Sequence, residues 1–133
     1  MLQLDANDSL IHYSLTKRTC GAEIGDASLL LPRLRHAPLE TLLDLDTADL
    51  QGRFGPIEAP EEFLYAKHAV ALCAAAEVLT GRAAGEPGSL CTTTCVVGDS
   101  DGLVFEGLIG IEAVTARIKA CGNCGSCGSR RKR

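Results

Sequence analysis

From Pro60 to Thr80 the sequence reads PEEFLYAKHAVALCAAAEVLT, a stretch that contains no glycine and has proline only at its first position. Pro60 suits the first turn of a helix, Glu61 and Glu62 complement the positive end of its dipole, and Gly81 is a natural stop. Phe63, Leu64, Val70, Leu72, Val78, Leu79 and the alanines coat this predicted helix on nearly every side. Such a helix is stable only if most of its surface is covered, so the rest of the chain must supply a sheet and further helices to pack on it. Aromatic residues make up 4% of the 133 positions and tryptophan is absent, so the filling is Leu, Ala, Val and Ile.

The remaining pattern meets that demand. Leu2 to Leu4, a turn at Asn7-Asp8 and Ile11 to Leu15 predict a β-hairpin ended by Thr19-Cys20-Gly21. Asp26 or Ser28 is placed to cap a helix running to about Arg35, in which Pro32 sits awkwardly unless it falls in the first turn, and Pro38 suits the N1 position of a short helix over Leu39 to Leu43. Thr47 is placed to cap another turn through Leu50. Gly81 to Ser89, GRAAGEPGS, reads as a linker. Beyond it Cys91 to Val97 and Leu103 to Ile109 predict two strands joined by a turn at Gly98–Gly102, followed by a short helix over Glu112 to Lys119. The expected fold class is α+β, a small antiparallel sheet packed on helices. A scaffold of residues 1–84 is expected to carry an extension, 85–133, made of a hairpin, a helix and a cysteine-rich tail.

A net charge of −4 argues against nucleic acid or an acidic membrane surface as the partner of the body. The exception is Arg130-Arg131-Lys132-Arg133, whose plain reading is a solvated terminus. The segment MLQLDANDSL has neither a basic nor an apolar leader region, and no apolar run approaches the ~18 residues of a membrane span. A reducing cytoplasm is therefore the expected location.

Seven cysteines in such a compartment call for ligation or redox chemistry rather than disulfides. Five of them, Cys91, Cys95, Cys121, Cys124 and Cys127, fall between Cys91 and Arg133; Cys20 and Cys73 stand apart, and Cys73 fits a small buried hydrophobe. In Cys121-x2-Cys124-x2-Cys127 the spacing lets successive sulfurs converge on one metal or cluster edge, and Gly122, Gly125 and Gly128 relieve the tight backbone. The run matches the first three ligands of a ferredoxin-type site but lacks a fourth Cys-Pro, leaving Cys91 or Cys95 to complete an iron–sulfur cluster. Alternatively, Cys91-x3-Cys95 and Cys121-x2-Cys124, 25 residues apart, suit a four-thiolate zinc ribbon with Cys127 left spare. Spacing leaves cluster, zinc and unligated thiols open. Of the histidines, His12 in a strand and His36 at a helix end read as surface or structural, and His68, mid-helix among apolar residues, reads as either a core histidine or a ligand.

Several segments resemble one family, the IscU/NifU-type iron–sulfur cluster assembly scaffolds (the N-terminal domain of NifU). Leu2-Gln3-Leu4 with Asn7-Asp8 and Ile11 to Leu15 is similar to that family's middle hairpin. Thr19-Cys20-Gly21-Ala22-Glu23-Ile24 resembles its Cys-Gly-Ser-Ala-Ile turn, whose cysteine is a cluster ligand. Ser28-Leu29-Leu30, Leu34 and Pro38-Leu39-Glu40 follow its helix and the step after it, and Lys67-His68 resembles its Lys-x-His-Cys-Ser segment. The likeness extends to the end of the long helix. The family's Ala-Cys-Gly-Asp loop has no counterpart here, so the chain reads as that domain truncated at its start, and Ala69 stands where the family has a cysteine. The resemblance thus implies a ligand set of Cys20 and His68, too few for a [2Fe–2S] cluster. Cys73 lies one turn beyond Ala69, ~40° round the helix, but ~140° from His68. An inherited fold whose ligand work has moved to the C-terminal cysteines is the expectation, with a sulfur donor and a cluster acceptor as partners and a homodimer as one source of missing ligands. Thiol redox catalysis lacks the strand-to-helix setting of a Cys-x-x-Cys dithiol, and no Ser–His–Asp set, phosphate loop or carboxylate pair appears, so a binding role rather than catalysis is expected.

Overall fold

Leu2, Leu4, Leu10 and Tyr13 are buried while Gln3 and His12 between them are only partly so, the alternation of strands with one covered face. In the computed structural model, which describes residues 1–19, 22–26, 28–110 and 115–116, these residues form β1 (Leu2–Asp5) and β2 (Leu10–Tyr13), paired antiparallel. The turn between them is held by the Asp5 carboxylate, which accepts from the Asn7 and Ser9 N–H groups at 2.8 and 3.0 Å, and Asp8 takes the left-handed conformation such turns need.

The strand expected over Ile11 to Leu15 breaks at Ser14, whose N–H bonds the Met1 carbonyl. Beyond the break β3 (Leu15–Thr19) leaves the first sheet and pairs with β4 (Ala22–Asp26) as a separate two-stranded ribbon. The helix expected from Asp26 or Ser28 therefore shrinks to a single turn, α1 (Leu31–Leu34), whose later start brings Pro32 into the first turn. Pro38 sits one position earlier than expected, at the N-cap of α2 (Leu39–Leu43). In α3 (Thr47–Phe54) the cap is Asp46 rather than Thr47, its carboxylate accepting from the Asp49 N–H at 2.7 Å. That bond, and an Arg53–Asp49 pair at 2.8 Å one turn on, accompany a helix four residues longer than the sequence suggested. The long helix is α4 (Ala59–Leu79), followed by Thr80 and by Gly81 at φ 79°.

Then come β5 (Cys91–Asp99) and β6 (Gly102–Ile109). Their turn uses Asp99, which accepts from the Asp101 and Gly102 N–H groups. Here the expected division between residues 84 and 85 meets a different architecture. β6 pairs with β1 as well as β5, giving one four-stranded sheet of order β2-β1-β6-β5 built from both ends of the described chain. Gly102 makes the junction possible, since at φ 149° a Cβ there would stand 2.1 Å from the Leu4 carbonyl oxygen.

One face of this sheet carries Leu2, Leu4, Tyr13, Cys91 and Phe105 and packs with Ala69, Leu72, Ala75 and Ala76 of α4 in the core; Leu30, Leu34, Leu39, Leu42 and Leu50 complete it. The alanines allow α4 to approach both the sheet and α2, which is why residues 68–69 and 71–76 of this helix are buried nearly all round. Among the described residues no helix is long and apolar enough to cross a membrane; α4 itself carries Glu61, Glu62, Lys67 and Glu77.

Candidate functional site

His68 is 1% exposed, and its Nδ1 lies 2.8 Å from the Tyr13 hydroxyl. That hydroxyl also accepts the Leu30 N–H at 2.8 Å, so one oxygen ties the imidazole to the backbone before α1. The two rings meet edge-to-face at 5.7 Å. Burial pushes the Tyr13 hydroxyl up to about 12, against the opposing pull of the Leu30 N–H. Ser28 adds a bond to the Tyr13 carbonyl. The residue that resembles a family ligand thus joins α4, β2 and the turn before α1, with Nδ1 committed to Tyr13. Tyr13 is the polar group that sequence reasoning missed. Its partner is 55 positions away, and a buried tyrosine in a strand gives no local sign of what its hydroxyl meets.

Cys73 faces the other way. Its thiol lies 3.5 Å from the Leu43 carbonyl of α2 and 3.6 Å from a Glu77 carboxylate oxygen, so it acts as a donor between two helices. The angular separation of His68 and Cys73 is realised as two different neighbours, the sheet and α2, and the pair does not converge on a common metal.

Cys91 and Cys95 are separated by the sheet itself. Cys91 pairs with Ile109 on the core side, is 2% exposed, and lines a cavity of about 40 Å³ with Ala71, Ala75, Phe105 and Gly107. That volume is roughly a tenth of what pockets for small cofactors offer. Burial pushes the Cys91 thiol up, which favours its protonated form. In an unbroken strand a residue four positions on would share this face. The ladder shifts instead: Thr93 opposes Gly107, Cys95 opposes Glu106, and Thr94 is the extra residue of a β-bulge. Cys95 therefore emerges on the opposite, exposed face with Glu106 and Leu108. A zinc ribbon needs its Cys-x3-Cys pair on one side, and this pair is divided between two.

Among the described residues no group of three or more His, Cys, Asp or Glu side chains is placed to hold a metal. His68, Cys73, Cys91 and Cys95 do not fit a shared cluster or zinc site. His12 sits on the outer face of β2 opposite Gln3, and His36 is exposed at φ 69° beside the edge of β2. Cys20, Cys121, Cys124 and Cys127, the basic tail, and all of the expected 112–119 helix except the helical pair 115–116 lie outside the described residues. No protein-family model, curated protein or solved structure matches the chain.

Proposed function

We propose that this chain is an iron–sulfur protein that binds, assembles or transfers a cluster through Cys121, Cys124 and Cys127, with a sulfur donor protein and a cluster acceptor protein as its partners. The observation that carries this reading is the Cys-x2-Cys-x2-Cys run itself, with glycine after each cysteine. Two features of the fold support it. Cys73 and Cys91 are buried, the first beside the Leu43 carbonyl and the second against α4, which favours the remaining cysteines as ligands. The packed core of α4 and the sheet is built from Leu, Ala, Tyr and Phe side chains rather than from the tail cysteines.

Cys121, Cys124 and Cys127 would hold the cluster as thiolates, so loading would depend on pH and release protons to solvent. A bound cluster would supply iron–sulfide units for transfer or one-electron chemistry. The role is binding and delivery rather than catalysis.

The test is anaerobic purification with an absorption spectrum and metal analysis, on the natural chain and on a Cys121/Cys124/Cys127→Ser triple variant. Brown protein with iron and acid-labile sulfide, both lost in the variant, is the expected result. Colourless protein with one zinc per chain would replace the cluster by a structural zinc module, and a variant that keeps its iron would remove the tail from either role.

A further inference from the structure

The four-stranded sheet has two outer edges, β2 and β5, and the described chain closes much of both. Along β2, the Leu10 N–H bonds the Ala37 carbonyl at 2.8 Å and the Leu10 carbonyl accepts the His36 N–H at 2.7 Å. Along the first part of β5, the Thr93 N–H bonds the Gly85 carbonyl at 2.9 Å. Beyond the bulge at Thr94, residues 95–99 have no backbone partner on their outer side among the described residues. We propose that this stretch is a self-association edge, where a second copy of the chain adds its own residues 95–99, antiparallel, about a two-fold axis at Val97.

The chemistry of the edge selects another strand. Counted back from the Asp99–Gly102 pair that closes the hairpin, the ladder alternates so that Gly98 and Val96 turn their N–H and C=O groups outward. Edges are ordinarily blunted by lysine, proline or an inward charge, and from Cys91 to Gly98 this strand has none of them. Val96 and Val97 are 49% and 61% exposed on opposite faces, so this part of the strand stands clear of the core on both sides. Recognition of a foreign strand relies on pockets for alternate side chains, whereas these two valines project. A second copy meets them with the same edge.

The register follows from what is already bonded. With Thr93 engaged by Gly85, residues 95–99 remain to pair, and their midpoint is Val97. A two-fold there sets Val96 against Gly98 of the second copy and Gly98 against its Val96, for four backbone bonds. Val97 meets its own copy, which extends the Val97–Val104 pair into a row of four valines across the joined sheet. The two Asp99 carboxylates end ~14 Å apart, beyond the Debye length of ~8 Å, whereas parallel pairing would set them side by side. Five residues a side is small against the roughly 20–30 of a standard interface, so the association is weak and concentration-dependent. It uses backbone and valine, and stands apart from the cluster reading.

The test is sedimentation of the full chain over a concentration series, with reductant and chelator present so that neither a disulfide nor a metal joins the copies. The natural chain is expected to shift from monomer to dimer as its concentration rises. Val97→Lys sets like charges against each other at the axis, and is expected to weaken the dimer about tenfold or more with an unchanged thermal melt. Leu108→Lys, at the same 61% exposure on the same outer face but level with Thr92, is expected to keep the natural dimer. Register is read with Val97→Cys under mild oxidation and peptide mapping. Opposed residues of a non-hydrogen-bonded pair have Cα atoms ~4.5 Å apart, within the range of a disulfide, so a covalent dimer linked through position 97 is expected. The two Cys95 thiols, ~14 Å apart in this register, are expected to link more slowly. A natural chain that stays monomeric up to about 1 mM overturns the proposal. Equal loss of the dimer in Leu108→Lys overturns it as well, since the outer faces would then be stacked, and so does faster linkage through Cys95 than through position 97.

Discussion

Cys91 and Cys95 stand four residues apart on one strand and live in opposite chemistry. The first is sealed between the sheet and α4 as a neutral thiol, and the second is open to solvent beside exposed valine and leucine. One extra residue, Thr94, produces the difference by shifting the ladder from Gly107 to Glu106. In a strand, then, ligand spacing is a statement about faces, and a single bulge rewrites it.

The sharpest way to break this contrast is to truncate one side chain on each face. Phe105→Ala, on the covered side at 2% exposure, is expected to cost about 3–5 kcal/mol in a denaturant melt. Leu108→Ala, on the other side, should change stability by no more than ~0.5 kcal/mol in the isolated metal-free chain. Equal effects would mean that the outer face is as much a core as the inner one.

Next in size is the polar bond on the covered side. Tyr13→Phe leaves the Leu30 N–H and His68 Nδ1 without the hydroxyl that serves both, and is expected to cost about 2–4 kcal/mol. The same hydroxyl gives a pH dependence. Its neutral form is favoured by the fold, so its contribution is complete below the ordinary value of 10 and is lost as pH rises through about 12. Stability should fall over that interval by about 2–3 kcal/mol, and Tyr13→Phe should flatten this part of the curve. An unchanged slope in the variant would assign the alkaline loss to other groups.

The smallest expected effect on stability, yet the most direct reading of the two faces, is thiol labelling. In metal-free native chain, iodoacetamide followed by peptide mapping should mark Cys95 at least ~100-fold faster than Cys91, which reacts only when the fold opens. Similar rates would show the bulge does not separate them.

Much of this architecture was readable in the residues. Pro60, the paired glutamates and Gly81 bracket α4 to within a residue, and the β5–β6 hairpin follows its β-branched runs and its Gly-Asp-Ser-Asp-Gly turn. The failures share a physical cause, dependence on partners far away in sequence. Ala22-Glu23-Ile24-Gly25-Asp26 has little strand propensity, and its strand exists through pairing with β3. The union of β1 with β6 spans most of the chain and leaves no local trace, so a Gly-rich connection looked like a domain boundary. At the site, the thiol cluster and the candidate histidine were visible as residue types. Which way each one faces was not: Thr92, Thr93 and Thr94 are identical, and nothing in them marks the bulged position.

The strand order also has a consequence in time. The β1–β2 and β5–β6 hairpins are local and can close within microseconds of collapse, but the sheet is whole only when Asp5 meets Gly102. Joining two preformed hairpins across so long a loop is the slow, entropically costly event, and it should set the folding rate. Gly102→Ala, which forces a methyl against the Leu4 carbonyl at that seam, is therefore expected to slow refolding more than it speeds unfolding. The pocket beneath Cys91 and the open face bearing Cys95 come into existence together, at that last closure.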